Sequence, residues 1–217
     1  MYLYVEVYKV EKKQLKHDIA ELAYNVTYGA NLHFATFDIV SKLPGLIGFS
    51  SLSFGIAGLV FEITTNLTSI VFILLSIAAL FIAMYEPNKM LYHKRGAHLN
   101  SVAGKLLAIY RDVDLPNAQL EDLTDEYQRI KDEFYSDDGN IGQQVLFSGA
   151  LAHYKMFGVK SQQTKWFSEE LELTFIKDKI PFFVRFFVCV LVVLFILGTI
   201  CMLVLSEFFP FVKGIVC

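Results

Sequence analysis

The sequence is poor in cysteine, with three in 217 residues. Cys189 and Cys201 lie in one apolar stretch, twelve residues and more than three helical turns apart, which is too far for a disulfide within one helix. Cys217 is the last residue. These positions exclude a disulfide framework and the usual cysteine and histidine spacing of a zinc site.

The sequence also lacks the short motifs of common enzyme classes. No GxSxG, P-loop, dinucleotide fingerprint or HExxH motif occurs. The histidines are isolated or wrongly spaced for metal binding, since His93 and His98 lie five residues apart and therefore on different helix faces. Adjacent acids such as Glu121 and Asp122 diverge on a helix and are typical of a solvated face. We therefore expect no enzymatic activity, no metal site and no cofactor.

Charge is missing from two long stretches, 43–85 and 181–205, apart from one residue within each. The whole chain is 54% hydrophobic with a mean hydropathy of +0.45, whereas soluble domains contain about 45–50% apolar residues. No secretory signal fits, because the first forty residues are charged and amphipathic. Segregation of the apolar excess into two blocks predicts membrane spans rather than one large soluble core.

Three segments have the length of a membrane span, which is about twenty helical residues for roughly 30 Å of hydrocarbon. Residues 43–63 carry no charge before Glu62, and residues 67–85 carry none. The linker between them is short enough to force an antiparallel transmembrane hairpin, 43–85. Residues 181–205 form the third predicted span, in which the charged end of Arg185 can reach the lipid headgroups.

The positions of the basic residues predict the orientation, because lysine and arginine concentrate on the cytoplasmic side of a membrane. They occur before the first span and between the second and third, but not at the hairpin tip. The residues near the span ends are Lys9, Lys12, Lys13, Lys16, Lys42, Lys89, Lys94, Arg95, Lys177, Lys179 and, after the last span, Lys213. We expect residues 1–42 and 86–180 in the cytoplasm and the tail, 206–217, outside.

The segment 1–42 is predicted to form an amphipathic helix that runs into the first span. Residues 5–41 contain no proline, and Leu15, Ile19, Leu22 and Val26 recur at the spacing of one helix face. The lysines of this helix either touch anionic headgroups or form a solvated face.

Residues 86–180 are predicted to form a cytoplasmic helical domain. A helix over 88–112 continues from the second span after a bend at Pro87, and a helix over 116–134, capped by Asp114, packs antiparallel on it. Two more helices, 141–157 and 162–179, are expected to meet where Gly158 ends one and Ser161 caps the next. The predicted fold is an all-α membrane protein with an N-terminal amphipathic helix, a transmembrane hairpin, a cytoplasmic helical domain and a third C-terminal transmembrane helix.

Small residues form one face of the first span. They recur at steps of three or four and comprise Gly45, Gly48, Ser51, Gly55 and Gly58. Such a face permits close packing of helices in lipid, or it lines water when several copies surround an axis. The two uses remain open, and the pore-lining candidates are Gly48, Ser51, Gly55 and Gly58.

The hairpin tip offers Glu62, Thr65 and Asn66 as candidates for a pore mouth. A ring of carboxylates from several copies of Glu62 would select cations. The alternative is that Glu62 is an ordinary interfacial charge and that Thr65 and Asn66 satisfy the ends of two helices.

A basic and aromatic cluster follows the second span, with Tyr92, His93, Lys94, Arg95 and Lys105 as candidates for ligand binding. The cationic side chains suit phosphate groups, and Tyr92 or His93 would stack on a ring. The alternative is that these basic residues only fix the orientation of the span.

The hairpin, the basic exit over 92–100 and the helices containing LLAIYRD and YQRIKDEF together resemble the SLATT family, the SMODS and SLOG-associating two-transmembrane effector domains. The similarity covers residues 15–155. Such domains are encoded beside nucleotide-generating or reverse-transcriptase-type enzymes in bacterial defence loci. The third span and the tail, 206–217, lie outside this two-span pattern.

The resemblance implies a homo-oligomeric pore or ion-channel effector in the bacterial inner membrane, acting in antiviral defence by abortive infection. Its expected partners are the lipid bilayer, further copies of itself, and a nucleotide or oligonucleotide signal or a nucleotidyltransferase or reverse-transcriptase-type partner enzyme. A different class of function is also open, namely a non-conducting membrane anchor or scaffold that docks a soluble partner protein.

Overall fold

The structure, a computed structural model, describes residues 2–61, 65–136, 143–180 and 182–215, and this described part contains helices and no strand. Two short elements interrupt the α-helices, a 3-10 turn at Glu86–Asn88 and a π-helical turn at Lys155–Val159. The α-helices in chain order are α1 Tyr2–Phe61, α2 Asn66–Ala83, α3 Lys89–Asp112, α4 Leu120–Ser136, α5 Ser148–Tyr154, α6 Ser161–Glu170, α7 Phe175–Asp178 and α8 Phe182–Ile215.

Helix α1 is one uninterrupted helix of 60 residues, about 90 Å long at 1.5 Å per residue. It confirms the prediction that the amphipathic segment runs directly into the first span. Pro44 lies inside it without ending it. At Pro87, where a bend in a continuous helix was predicted, the 3-10 turn Glu86–Asn88 instead separates α2 from α3.

The main core lies where the first part of α1 packs against α3, with α4 and α6 at its sides. The predicted face of α1 is confirmed, because Leu15, Ile19, Leu22 and Val26 are all buried. Four residues of α3 and two of α4 share this core: Leu99, Val102, Leu106, Ile109, Tyr127 and Ile130. A smaller cluster of Val40, Ile82 and Val145 joins α1 to the end of α2.

The predicted role of Asp114 as a helix cap is wrong. Helix α4 begins at Leu120 rather than at residue 116, and the Asp114 carboxylate lies 3.2 Å from Lys12 Nζ and 2.8 Å from Lys16 Nζ. The hydrogen bond from Lys16 is the main reason why the pKa of Asp114 is lowered, and Lys12 adds to it. Asp114 therefore joins the loop after α3 to the amphipathic part of α1.

The two helices predicted over 141–157 and 162–179 are both shorter, and their junction differs. Helix α5 begins only at Ser148, and Gly158 lies within the π-helical turn instead of ending a helix. Ser161 is the first residue of α6, whose cap is Lys160, so the predicted serine cap is wrong. Helix α6 ends at Glu170 because Glu172 adopts a left-handed φ of 51° and Leu173 N–H donates to Ser168 C=O at 2.9 Å.

Contacts divide the chain at Leu173 into two units, and the second consists of α7 and α8. In the second unit, Thr174 donates through its backbone N–H and its hydroxyl to Asp178, which closes the short α7. Helix α8 has 34 residues, and its described large apolar side chains from Phe182 to Ile200 are exposed. By length and hydropathy, α1 and α2 are long enough to cross a membrane, whereas the apolar stretch described in α8, Val184–Ile200, is shorter.

Candidate functional site

Packing of α1 against α2 in the hairpin divides the small-residue face of α1 into a packed side and an open side. Ile47 and Gly58 are buried and Phe54 contacts Phe72 of α2 with ring centroids 5.0 Å apart, so this side packs on α2. Ser51 falls within the same arc of the helix, at 100° per residue, and its Oγ is buried with no hydrogen-bond partner among the described residues. These two of the four pore-lining candidates, Ser51 and Gly58, lie against the partner helix of the hairpin.

The other side of the small-residue face is open. A Cβ added at Gly45, Gly48 or Gly55 would meet no other described atom within 4 Å. The surrounding apolar side chains are exposed too, as Leu52 is at 65% and Leu59 at 86%. We call this the open glycine face of α1, defined by Gly45, Gly48 and Gly55. It is available to lipid or to another chain.

At the hairpin tip, the structure describes Thr65 and Asn66, while Glu62 lies outside the described residues. Thr65 is the N-cap of α2: its Oγ1 accepts a hydrogen bond from Thr68 N–H at 3.3 Å, and its own N–H donates to Thr68 Oγ1 at 2.9 Å. Asn66 is the first residue of the helix. Thr65 therefore caps the helix end, which is one of the two roles predicted for it.

The two aromatic members of the basic cluster differ in exposure, since Tyr92 is buried and His93 is exposed. Tyr92 is 1% exposed and its hydroxyl donates to Gln143 C=O at 2.6 Å. Burial is the first cause of the raised pKa of Tyr92. The His93 ring contacts Phe37 of α1, with centroids 5.0 Å apart. Tyr92 is thus engaged in holding the loop before α5, and His93 joins α3 to α1.

The basic members of the cluster do not form one site. Lys94 is exposed, whereas Arg95 is half-buried and its charge contributes to lowering the pKa of His33. Lys105 lies three turns further along α3, about 16 Å away, where its Nζ is 3.9 Å from Glu133 of α4. The predicted ligand-binding residues are therefore spread along α3 rather than brought together.

Several polar side chains of α1 are buried, and they lie just before the apolar segment of this helix. Thr36 donates to the Gln144 side chain, whose amide nitrogen lies 3.4 Å from His33 Nδ1. His33 is 6% exposed, and burial first, then the charge of Arg95, lowers its pKa to about 4. The imidazole is therefore neutral at physiological pH.

The structure brings together a group of residues that the sequence did not single out. A groove of about 400 Å³ opens between α1, α3, α5 and the π-helical turn, and the residues that line it include Asn31, Phe34, Asp38, Tyr154, Lys155 and Lys160. We call it the α1 groove. Residues of α1 and of the turn lie about 120 positions apart in the sequence, which is why no local pattern connects them.

Comparison with known proteins gives one finding. No curated protein and no solved structure matches the chain. A family model does match, over residues 10–188, and this range includes the hairpin, the main core, the α1 groove and the first turns of α8. The family is one of membrane effectors, in agreement with the two apolar helices of the hairpin. The chain belongs to the SMODS and SLOG-associating 2TM effector domain 6 family, as its residues and its helices both indicate.

Proposed function

We propose that this membrane effector is the subunit of a homo-oligomeric channel that depolarises the bacterial inner membrane in antiviral defence by abortive infection. The observation that carries the proposal is α1 itself, because one helix of 60 residues joins a packed core to the open glycine face in the hairpin. A face without a partner in the single chain is suited to contact between copies around an axis.

In the proposed assembly, the open glycine face supplies Gly48 and Gly55 to the contact between copies or to the water-filled path. Ser51 and Gly58 hold α1 on α2, and Glu62 at the tip forms a ring of carboxylates at the outer mouth. Residues 1–42 and 86–180 lie in the cytoplasm in this proposal, which the distribution of lysines supports. Helix α8 provides a third span, 181–205, which anchors the cytoplasmic domain, with the tail outside.

Opening is proposed to depend on a signal that contacts the cytoplasmic domain. A ligand shifts an equilibrium only by the difference between its affinities for the two states, so it must touch a part that differs between them. A nucleotide-type ligand, or a nucleotidyltransferase or reverse-transcriptase-type enzyme encoded nearby, would act there. The hairpin tip is too short to bind such a partner.

Ion flux tests the channel directly. Purified full-length protein in liposomes should dissipate a potassium gradient, and cells producing it in excess should lose membrane potential. A protein that assembles but passes neither ions nor small dyes, with membrane potential intact in cells, would contradict the proposal. That result would favour a non-conducting scaffold.

Two glycines provide a matched pair of variants for this measurement. Gly55→Leu changes the open glycine face, whereas Gly104→Leu places the same side chain at an equally open position of α3. We expect Gly55→Leu to lower flux strongly and Gly104→Leu to leave it unchanged. Equal flux in both variants would exclude the open glycine face from the channel.

Glu62→Gln tests the proposed outer mouth. Loss of the carboxylate ring should reduce the preference for cations while the oligomer still assembles. The measurement is the reversal potential in asymmetric salt across a planar bilayer. An unchanged reversal potential would remove Glu62 from the mouth.

A further inference from the structure

The α1 groove combines positive charge, aromatic rings and an unpaired polar atom in one place. It lies on α1 at residues 31–38, so its nearer end is five residues, about 8 Å of helix, before Leu43. Its other walls come from α3, α5 and the π-helical turn, all of which belong to the same unit as α1. Single π-helical turns are rare and often occur at functional sites.

Two lysines give the groove its charge. Lys155 donates to the Asp38 carboxylate and to Phe34 C=O, at 3.4 Å for the latter, while Asp38 also accepts a hydrogen bond from Lys42 at 2.7 Å. Burial raises the pKa of Asp38, but the hydrogen bonds from Lys155 and Lys42 outweigh it, so the pKa is lowered and the carboxylate stays ionised. Two lysines, Lys155 and Lys42, thus share the Asp38 carboxylate.

Lys160 is the second lysine that lines the groove. Its Nζ lies 5.3 Å from the centroid of the Phe34 ring, and the structure shows no carboxylate paired with it among the described residues. Burial, and then the charge of Lys155, lowers the pKa of Lys160. An anion bound between Lys155 and Lys160 would relieve this repulsion and gain charge-assisted hydrogen bonds.

Tyr154 offers an exposed aromatic face at the rim. Its side chain is 65% exposed although it lines the groove. A Cβ at Gly158 would lie 3.3 Å from two atoms of the Tyr154 ring, so glycine allows the ring to lie close over the π-helical turn. The ring thus lies beside Gly158 and remains open to solvent, as a stacking surface requires.

Asn31 adds a hydrogen-bond acceptor. The residue is fully buried at the wall of the groove, and its Nδ2 donates to Thr27 C=O at 2.8 Å. Its Oδ1 has no hydrogen-bond partner among the described residues. An unpaired buried carbonyl costs about 1–3 kcal/mol, and a ligand N–H or O–H would recover part of that cost.

We propose that the α1 groove binds a small phosphate-bearing ligand with a planar ring, of the mononucleotide class. The phosphate lies between Lys155 and Lys160, the ring lies on Tyr154, and a donor group of the ligand meets Asn31 Oδ1.

The position of the groove links it to the channel, and this part of the inference rests on the proposed function. Binding at Lys155 competes with the Asp38 contact that ties the π-helical turn to α1. Because α1 continues into the hairpin without a break, a change in this contact acts on the helix that bears the open glycine face.

Calorimetric titration of the full chain in nanodiscs of zwitterionic lipid tests the binding step by itself. The probes are adenosine 5′-monophosphate, adenosine, which lacks the phosphate, and ribose 5-phosphate, which lacks the ring. We expect saturable binding of the nucleotide and binding at least about tenfold weaker for the other two. Absence of nucleotide binding, or equal affinity for all three, would overturn the proposal.

Two variants and one control locate the binding. Lys160→Met keeps the length of the side chain and should weaken nucleotide binding about tenfold, whereas Lys165→Met, at an exposed position of α6, should leave it unchanged. Tyr154→Ala should weaken binding of the nucleotide but not of ribose 5-phosphate. Because Tyr154 is exposed, this variant reports on the site even if Lys160→Met fails to fold. Unchanged affinity in Tyr154→Ala, or equal losses at Lys160 and Lys165, would place the binding elsewhere.

A lipid headgroup carries the same phosphate chemistry, so the source is tested separately. If the ligand is soluble, its affinity for the groove is the same in nanodiscs containing phosphatidylglycerol. Loss of nucleotide binding in those nanodiscs would assign the groove to lipid and overturn the soluble ligand. Since calorimetry does not depend on conductance, binding without flux would contradict only the channel, and flux without binding only the groove.

Discussion

The two parts of α1 have different surroundings although they form one helix. Between Leu15 and Val40 its apolar face is enclosed by α3, α4 and α6, and many of its residues are fully buried. Between Leu43 and Phe61 the helix is more apolar yet less enclosed, with large side chains such as Phe49 exposed at 74%. Hydrophobicity is therefore not matched by burial within the chain. The first part obtains its packing from this protein, and the second must obtain it from lipid or from other copies.

The largest expected effect is a difference in the free energy of unfolding between substitutions in the first and the second part of α1. Ile19→Ala removes a side chain that is 0% exposed, and we expect the free energy of unfolding in detergent to fall by about 2–5 kcal/mol. Leu52→Ala, at a side chain that is 65% exposed, should change it by less than about 0.5 kcal/mol. Chemical denaturation followed by circular dichroism gives both values. Equal losses would show that the second part is packed in the isolated chain.

A smaller effect concerns His33, in the buried part. Because its pKa is lowered to about 4 from 6.5, the unfolded chain binds more protons between these values, so stability decreases as the pH falls from 6.5 to 4. The loss approaches about 3 kcal/mol at the lower end. Melting temperature against pH measures it.

The matched variants for this measurement are His33→Gln and His17→Gln. The first should flatten the decrease over this range, whereas the second, at an exposed residue, should not alter it. If the slope survives in His33→Gln, another group causes it.

The smallest effect concerns a tight contact between α1 and α3 at Gly96. A Cβ at Gly96 would lie 3.0 Å from two ring atoms of Phe34 and 3.2 Å from Ala30 O, whereas one at Gly104 would meet nothing within 4 Å. Gly96→Ala should therefore destabilise the fold by about 1–2 kcal/mol. Gly104→Ala should stabilise it by up to about 1 kcal/mol through helix propensity. Opposite shifts in denaturation midpoint confirm the contact, and two stabilising shifts would exclude it.

The parts of the fold that could be predicted are those with a local cause. The spacing of Leu15, Ile19, Leu22 and Val26 indicates one helix face, and the length of an uncharged segment indicates a membrane span. Both predictions therefore follow from residues that are close in the sequence. Asp114 has the local pattern of a cap, but its carboxylate pairs with two lysines of α1 that lie about a hundred residues away. The end of α6 was missed because Glu172 takes the conformation usually marked by glycine.

The candidate sites also divide into those that a local sequence pattern predicts and those that depend on distant residues. The glycines of the first span follow from their spacing, but the packed side is separated from the open one only by contacts with α2, such as that of Phe54 with Phe72. Lys155 and Lys160 gave no signal, since their partners on α1 are distant in the sequence. One indication was present: Asn31, His33 and Thr36 place polar groups in the buried part of α1, where apolar residues are the rule.

Pro44 affects how the long helix α1 adapts to membranes of different thickness. Proline has no N–H, so the carbonyl of Val40 loses its helical hydrogen bond at the boundary between the two parts of α1. A transmembrane segment adapts to a thinner or thicker bilayer chiefly by changing its tilt. We expect that change at residue 44, where one helical hydrogen bond is missing, and not in the packed core. Spin-label distances across Pro44 should vary with lipid chain length, while distances within residues 15–40 should stay constant.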